Sequence, residues 1–231
     1  MKKIISRYAK ITEKFPREFI LLQGTGCFWK KCIFCDYFED VSGDPFCVNK
    51  PIIEKITGEF DVLEVINSGS AMELDEQSLN LLIQKVNELK IKEIWFEVHW
   101  AYHKELLDFS KKFKNSSVKF RTGIESFNPE LRDFWNKGIP NNVTPKDVAE
   151  YFSSVNLLVG TERQTLENIK NDIEIAEKYF ERYMINVFVE NDSSIKPNFE
   201  LIDSFLKNIY PKIKDNKSVE ISVNNTDLGV G

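Results

Sequence analysis

The sequence predicts an α/β protein built as a partial (β/α)6 parallel barrel. Two observations lead there. Six apolar runs are each followed by an amphipathic stretch, the alternation of strands joined in parallel by helices. The chain has 231 residues, whereas a complete eight-unit barrel takes about 250, so six units imply a partial barrel or an open parallel sheet. In either form ligands bind at the C-terminal ends of the strands.

Phe19 to Gln23 reads as the first strand and Pro51 to Thr57 as a short helix. Val62 to Asn67 is the next strand. Asp75 to Leu89 carries Leu79, Leu82, Ile83, Val86 and Leu89 at helical spacing. Glu93 to His99 forms a third strand, followed by a helix from His103 to Phe113, and Val118 to Ile124 forms a fourth. Asn128-Pro129 and Thr144-Pro145 are helix starts, a capping side chain before a proline that lacks the unneeded N–H. Val155 to Val159, Gln164 to Tyr179, Met184 to Val189, Asn198 to Tyr210 and Val219 to Val223 continue the alternation. Cys27, Ser68, His99, Glu125 and Gly160 all follow strands, which places them on one rim.

No repeat, low-complexity tract or linker interrupts the chain. It reads as a single domain over 1–231, with 1–17 and 213–231 as terminal extensions. Hydrophobic residues at 42% and charged residues at 29% are ordinary for a globular protein. The basic start Met1 to Arg7 is not followed by an apolar block of signal-peptide length, and no run approaches the roughly 20 apolar residues of a membrane span. The expected location is the cytoplasm. A net charge of -5 argues against a polynucleotide partner, since such proteins carry a basic excess. The tail Asn224 to Gly231 reads as either floppy or folded over the open side of the barrel.

The four cysteines are Cys27, Cys32, Cys35 and Cys47. In a reducing compartment such a cluster reads as metal-binding or catalytic. Cys27, Cys32 and Cys35 share one loop with C-x4-C-x2-C spacing. Soft thiolates at this density suit zinc or an iron–sulfur cluster. A closed zinc site needs a fourth ligand, from Cys47 or a histidine. Three thiolates on a four-iron cluster leave one iron open to a substrate. Cys47 otherwise reads as a buried or partly buried free thiol.

The loop Gly24-Thr25-Gly26-Cys27-Phe28-Trp29-Lys30-Lys31-Cys32-Ile33-Phe34-Cys35 resembles the cluster loop of the radical S-adenosylmethionine (SAM) superfamily. There a C-x3-C-x2-C loop after the first barrel strand holds a [4Fe-4S] cluster and an aromatic, here Phe34, precedes the third cysteine. This chain has one extra residue between Cys27 and Cys32. The resemblance extends along the chain. Asn67-Ser68-Gly69-Ser70 matches the short glycine motif that receives the SAM amino group. Gly123-Ile124-Glu125-Ser126 matches the segment whose polar side chain reaches the SAM ribose. Lys137 matches the basic residue that holds the SAM carboxylate. Asn156 is the candidate for a further ribose contact, and the backbone near Leu158 for the adenine. The resemblance implies reductive cleavage of SAM to a 5′-deoxyadenosyl radical that takes a substrate hydrogen, with an electron donor such as flavodoxin or ferredoxin.

Each of these residues also has a plainer reading. Ser68 and Gly69 suit a turn, Glu125 an ion pair with Arg121, and Lys137 a solvated helix-end charge. Strand alternation puts Glu97 and His99 on one face, where they serve either as substrate-side catalytic groups or as a satisfied polar core network. His103 reads as surface.

The short format and the pattern GCFWKKCIFCDYFED are similar to bacterial radical SAM lyases of queuosine salvage, which release queuine from queuosine 5′-phosphate. That implies a small nucleotide-like substrate, with Glu97, Glu190 and Asp192 placed to meet the base edge. The alternatives are another small radical SAM enzyme of 7-deazapurine or tRNA-modification metabolism and, in a different class, a zinc-stabilised binding module.

Overall fold

The computed structural model describes residues 6–230, so Met1 to Ile5 of the basic start and Gly231 of the tail lie outside the described residues. Eight strands are hydrogen-bonded in chain order, β1 (Tyr8–Ile11), β2 (Arg17–Leu22), β3 (Val62–Asn67), β4 (Glu93–Glu97), β5 (Ser117–Glu125), β6 (Ser154–Val159), β7 (Arg182–Val187) and β8 (Val219–Ser222). β2 runs parallel to β3 and β3 to β4; β5, β6, β7 and β8 are likewise parallel in sequence. β1 is antiparallel to β2, pairing Tyr8 with Ile20 and Ile11 with Arg17. Each of β2 to β7 is followed by helix, the expected βα series of the partial-barrel class. Both expected extensions supply strands: β1 from 1–17 and β8 from 213–231.

The chain divides into two compact units. The first comprises 1–28, 37–120 and 226–231. Its strands β2, β3 and β4 present Ile20, Leu22, Leu63, Val65, Ile94 and Phe96, all buried. Over them lie α1 (Pro45–Ile53), α2 (Glu76–Leu89) and α3 (Leu106–Ser110). Phe96 meets Phe109 and Phe113 with ring centroids 5.0 and 5.2 Å apart. The expected helix from His103 is a 3-10 turn over Trp100–Glu105 leading into α3. α1 starts at Pro45, six residues before the expected Pro51. The cause is a cap: the Asp44 side chain accepts from the Cys47 N–H at 3.1 Å, the same start signal as Asn128-Pro129. The tail is not floppy there. Val230 is buried, and a Cβ on Gly229 would lie 2.7 Å from that of Ala9.

The second unit comprises 29–36 and 121–225. Its helices are α4 (Pro129–Phe134), α5 (Pro145–Ala149), α6 (Leu166–Tyr179), α7 (Phe199–Asn208) and α8 (Tyr210–Ile213). α4 and α5 begin at the expected caps, Asn128 and Thr144. Leu131, Trp135, Leu158, Phe188 and Ile195 form a buried cluster, against which Ile33 and Phe34 pack.

Asn49 of α1 fixes the exit of β2. Its side-chain oxygen accepts from the Gln23 N–H at 2.7 Å, and its amide donates to the Gln23 carbonyl and the Ser78 hydroxyl at 2.8 and 2.9 Å. All three bonds are buried, and Gln23 directly precedes the glycines before Cys27. Asn49→Ala leaves both backbone groups of Gln23 without that partner. It is expected to lower stability by about 1–3 kcal/mol, seen in urea unfolding as a lower midpoint at unchanged slope.

Candidate active site

In the first unit, the ends of β2, β3 and β4 carry Cys27, the Asn67-Ser68-Gly69-Ser70 turn and His99. A residue not singled out in the sequence, Glu73, organises them. One of its carboxylate oxygens accepts from the Phe28 N–H at 2.6 Å and from the Tyr102 hydroxyl at 3.2 Å; the other accepts from the Ser70 N–H at 2.6 Å. Its carbonyl accepts from the Thr25 N–H at 2.8 Å. The residue after Cys27 and the turn after β3 are thus held by one buried side chain. Burial first, then the Glu73 charge, pushes the Tyr102 hydroxyl up to about 12, so it stays protonated and donating. Gly69 is obligatory, because a Cβ there would lie 2.1 Å from the Glu73 carboxylate and 3.2 Å from the Cys27 Cα.

Ser68 is buried and accepts the Gly24 N–H at 3.0 Å. Asn67 donates to the Ser70 carbonyl at 3.1 Å, while its own oxygen is buried with no partner among the described residues. His99 is half-buried. Its N–H donates to the Ser70 hydroxyl at 2.9 Å, its Nδ1 accepts from Ala101 at 3.2 Å, and its ring meets Phe28 edge-on at 5.6 Å. Glu97, also half-buried, ends β4 two residues before it. Within this unit His99 therefore sits beside the Asn67 to Ser70 turn and the residue after Cys27.

In the second unit, β5 ends on Glu125, which adopts a left-handed backbone (φ 63°) at an irregularity in the pairing with β6. The twist turns its buried carboxylate to the Lys137 ammonium at 2.9 Å. The partner of Glu125 is thus Lys137, while Arg121 donates to the Ser154 hydroxyl at 3.3 Å. Lys137 is buried, not a solvated helix-end charge. Burial opposes its charge, but the Glu125 carboxylate and the Cys32 and Cys35 thiols outweigh it and raise its pKa. Gly123 leaves room for the pair, since a Cβ there would lie 2.3 Å from Glu125 and 3.0 Å from the Lys137 nitrogen. Phe34 packs on Trp135 at 6.1 Å and under the Lys137 ammonium at 5.6 Å. Its carbonyl accepts from the Asn191 amide at 3.0 Å.

Asn156 of β6 is buried beside Gly123, and its side-chain oxygen has no partner among the described residues. The Leu158 carbonyl is taken by the Gln164 amide at 2.7 Å, and Gln164 also accepts the Gly160 N–H at 2.9 Å. Glu190 is exposed and paired with Lys196 at 3.1 Å; Asp192 is exposed and its N–H faces the Asp36 carboxylate.

Cys27, Cys32 and Cys35 are half-buried. Among the described residues no three His, Cys, Asp or Glu side chains are gathered as they would be about one metal ion. The donor set fits a [4Fe-4S] cluster: three thiols on one loop, two of them close enough to a buried ammonium to raise its pKa. The unpartnered amide oxygens of Asn67 and Asn156 mark places where a polar ligand would satisfy a buried acceptor. Cys47 lies apart in the first turn of α1 and is exposed, not buried as expected.

A three-cysteine loop after the first parallel strand, followed by polar rims after β3, β5 and β6, defines a radical SAM enzyme. Comparison with known proteins agrees. A queuine lyase from Clostridium spiroforme, solved with SAM and queuine bound, is 39% identical over 99% of this chain and 100% of that chain, with a TM-score of 0.94. An uncharacterized protein of Methanocaldococcus jannaschii is 29% identical over 142 residues; the match takes in 53% of this chain and spans 39% of that relative's length. No protein-family model matches. The chain belongs to the queuine lyase family of radical SAM enzymes.

The turn after Glu125 rests on Asp172 of α6, whose carboxylate accepts the Phe127 N–H at 2.7 Å. Burial pushes this acid up from 3.8 to about 6. Its raised native pKa means the charged form is disfavoured on folding. No penalty exists below the unfolded value; it grows between 3.8 and about 6 and is complete above. Asp172→Asn keeps an acceptor for Phe127 without the charge. The variant is expected to be more stable than the parent at pH 7.5, by an amount on the order of 3 kcal/mol, and to lose that advantage by pH 4. Urea titrations at both pH values measure it.

Proposed function

We propose that this chain releases queuine from queuosine 5′-phosphate, using SAM and a [4Fe-4S] cluster held by Cys27, Cys32 and Cys35. The observation that carries the reading is the match over 99% of the chain to a queuine lyase bound to SAM and queuine. When bound, the cluster supplies one electron for SAM cleavage, and the resulting carbon radical is strong enough to take a sugar hydrogen.

The chain's own residues bind, orient and exclude water. The Asn67 oxygen and the peptide groups of Ser68 and Gly69 receive the amino end of SAM. Lys137 takes its carboxylate. Glu125 and the unpartnered Asn156 oxygen take ribose hydroxyls, and the strand end about Leu158 faces the adenine. Phe34 keeps the third cysteine's surroundings apolar. Glu97 and His99 act on the substrate side, where the carboxylate suits the donor edge of a guanine-like base and the imidazole, whose Nδ1 already accepts from Ala101, suits an acceptor.

A flavodoxin- or ferredoxin-type protein donates the electron, and the enzyme works in the cytoplasm as a single domain over 1–231. No described helix is long and apolar enough to cross a membrane. The acidic balance favours a mononucleotide over a polynucleotide.

Reconstituted without oxygen and given dithionite, SAM and queuosine 5′-phosphate, the enzyme should form 5′-deoxyadenosine, methionine and queuine. Deoxyadenosine without queuine would refute the substrate. Ala at Cys27, Cys32 or Cys35 should abolish the iron-linked absorption near 400 nm, a thiolate-to-iron charge-transfer band, whereas Cys47→Ala should retain it. Glu125→Ala and Asn156→Ala should each weaken SAM binding by about 1–3 kcal/mol. Changes at Glu97 or His99 should cut base release while leaving SAM affinity near that of the parent.

A further inference from the structure

The residues ahead of Cys32 dock on the segment that carries Lys137. The Trp29 indole N–H donates to the Asn136 carbonyl at 2.6 Å. The Trp29 ring lies against the bare backbone of Gly138, where a Cβ would sit 2.3 to 2.6 Å from three of its atoms. The Lys31 ammonium covers the same ring at 4.8 Å. Further along, the Ile33 N–H donates to the Trp135 carbonyl at 3.1 Å, and Phe34 lies beneath the Lys137 ammonium. From Trp135 to Gly138 every residue meets the cysteine loop.

This short segment is costly to hold. Asn136 and Gly138 both adopt left-handed backbones, φ 54° and 72°, which asparagine tolerates and glycine takes freely, so the burden falls on the residue between them. Lys137 between them points a long charged side chain inward, although lysine ordinarily keeps its head in water. Something must keep the backbone down, and Trp29 grips it on both sides of Lys137, at the Asn136 carbonyl and on the face of Gly138.

We propose that Trp29 is a positioning residue that seats Lys137 beside Glu125. Its consequence for SAM rests on the reading of Lys137 as the partner of the SAM carboxylate. Trp29→Phe keeps the ring on Gly138 and loses the indole bond; Trp29→Ala loses both. Gly138→Ala drives the indole off from the other side.

The test uses the reconstituted enzyme under argon, with iron content and circular dichroism as controls for folding. Lys137 is acylated by a succinimidyl ester and the labelled peptide quantified by mass spectrometry; SAM affinity is measured by calorimetry. Trp29→Ala and Gly138→Ala should label Lys137 several-fold faster than the parent, with Trp29→Phe between. SAM affinity should fall about tenfold in Trp29→Ala, the worth of one well-placed polar contact, and the double variant Trp29→Ala/Lys137→Ala should bind no more weakly than Lys137→Ala alone. Unchanged labelling in Trp29→Ala, or additive losses in the double variant, would overturn the proposal. If Trp29→Ala loses its iron, parent-like labelling in Trp29→Phe overturns it equally. Should Lys137→Ala bind SAM as the parent does, the SAM role of Lys137 falls, and the labelling still decides whether Trp29 seats it.

Discussion

The buried ion pair between Lys137 and Glu125 constrains more of the second unit than any other contact. A lysine taken out of water costs several kcal/mol unless an anion meets it in good geometry. The geometry here requires a left-handed Glu125, a glycine at 123 to clear both charges, and a reversed backbone on each side of Lys137. Negative charge on the Cys32 and Cys35 sulfurs also favours the ammonium form. The pair therefore belongs to the cysteine loop as much as to β5, and a neutral residue at either end would leave the other charge buried alone.

In the first unit a carboxylate does different work. Among the described residues Glu73 meets no lysine; it accepts N–H groups from two loops and a hydroxyl from Tyr102. It acts as a staple between the start of the cysteine loop and the turn after β3. Near each carboxylate stands an asparagine with an unanswered oxygen, Asn67 in the first unit and Asn156 in the second. Each is a buried acceptor that a polar ligand could satisfy.

Most of the fold was legible in the sequence because parallel strands are apolar runs and their helices announce themselves by caps. Val62 to Asn67 agrees to the residue, and Asn128 and Thr144 cap the helices they were expected to cap. β1 was not legible: Tyr8-Ala9-Lys10-Ile11 is short, mixed in character, and becomes a strand by pairing with β2. Candidate site residues were legible where a motif carries them, as with the cysteine spacing and the resemblance at Gly123 to Ser126, whose Glu125 is buried against Lys137. Glu73 had a signal, a Ser-x-x-Glu start at Ser70, that went unread. Trp29 and Gln164 had none, since their partners are backbone atoms distant or irregular in sequence.

The antiparallel strand β1 has a consequence for how the protein stands among its neighbours. A row of parallel strands ends in unpaired N–H and C=O groups, a template on which a second chain can add. In the first unit that row is closed by four residues running the other way. β1 is too short to invite much addition, its Lys10 is paired outward with Glu59, and its Ala9 is touched by Gly229 of the returning tail. Ending the strand row of the first unit in a short, charged and partly covered segment leaves little of that template exposed.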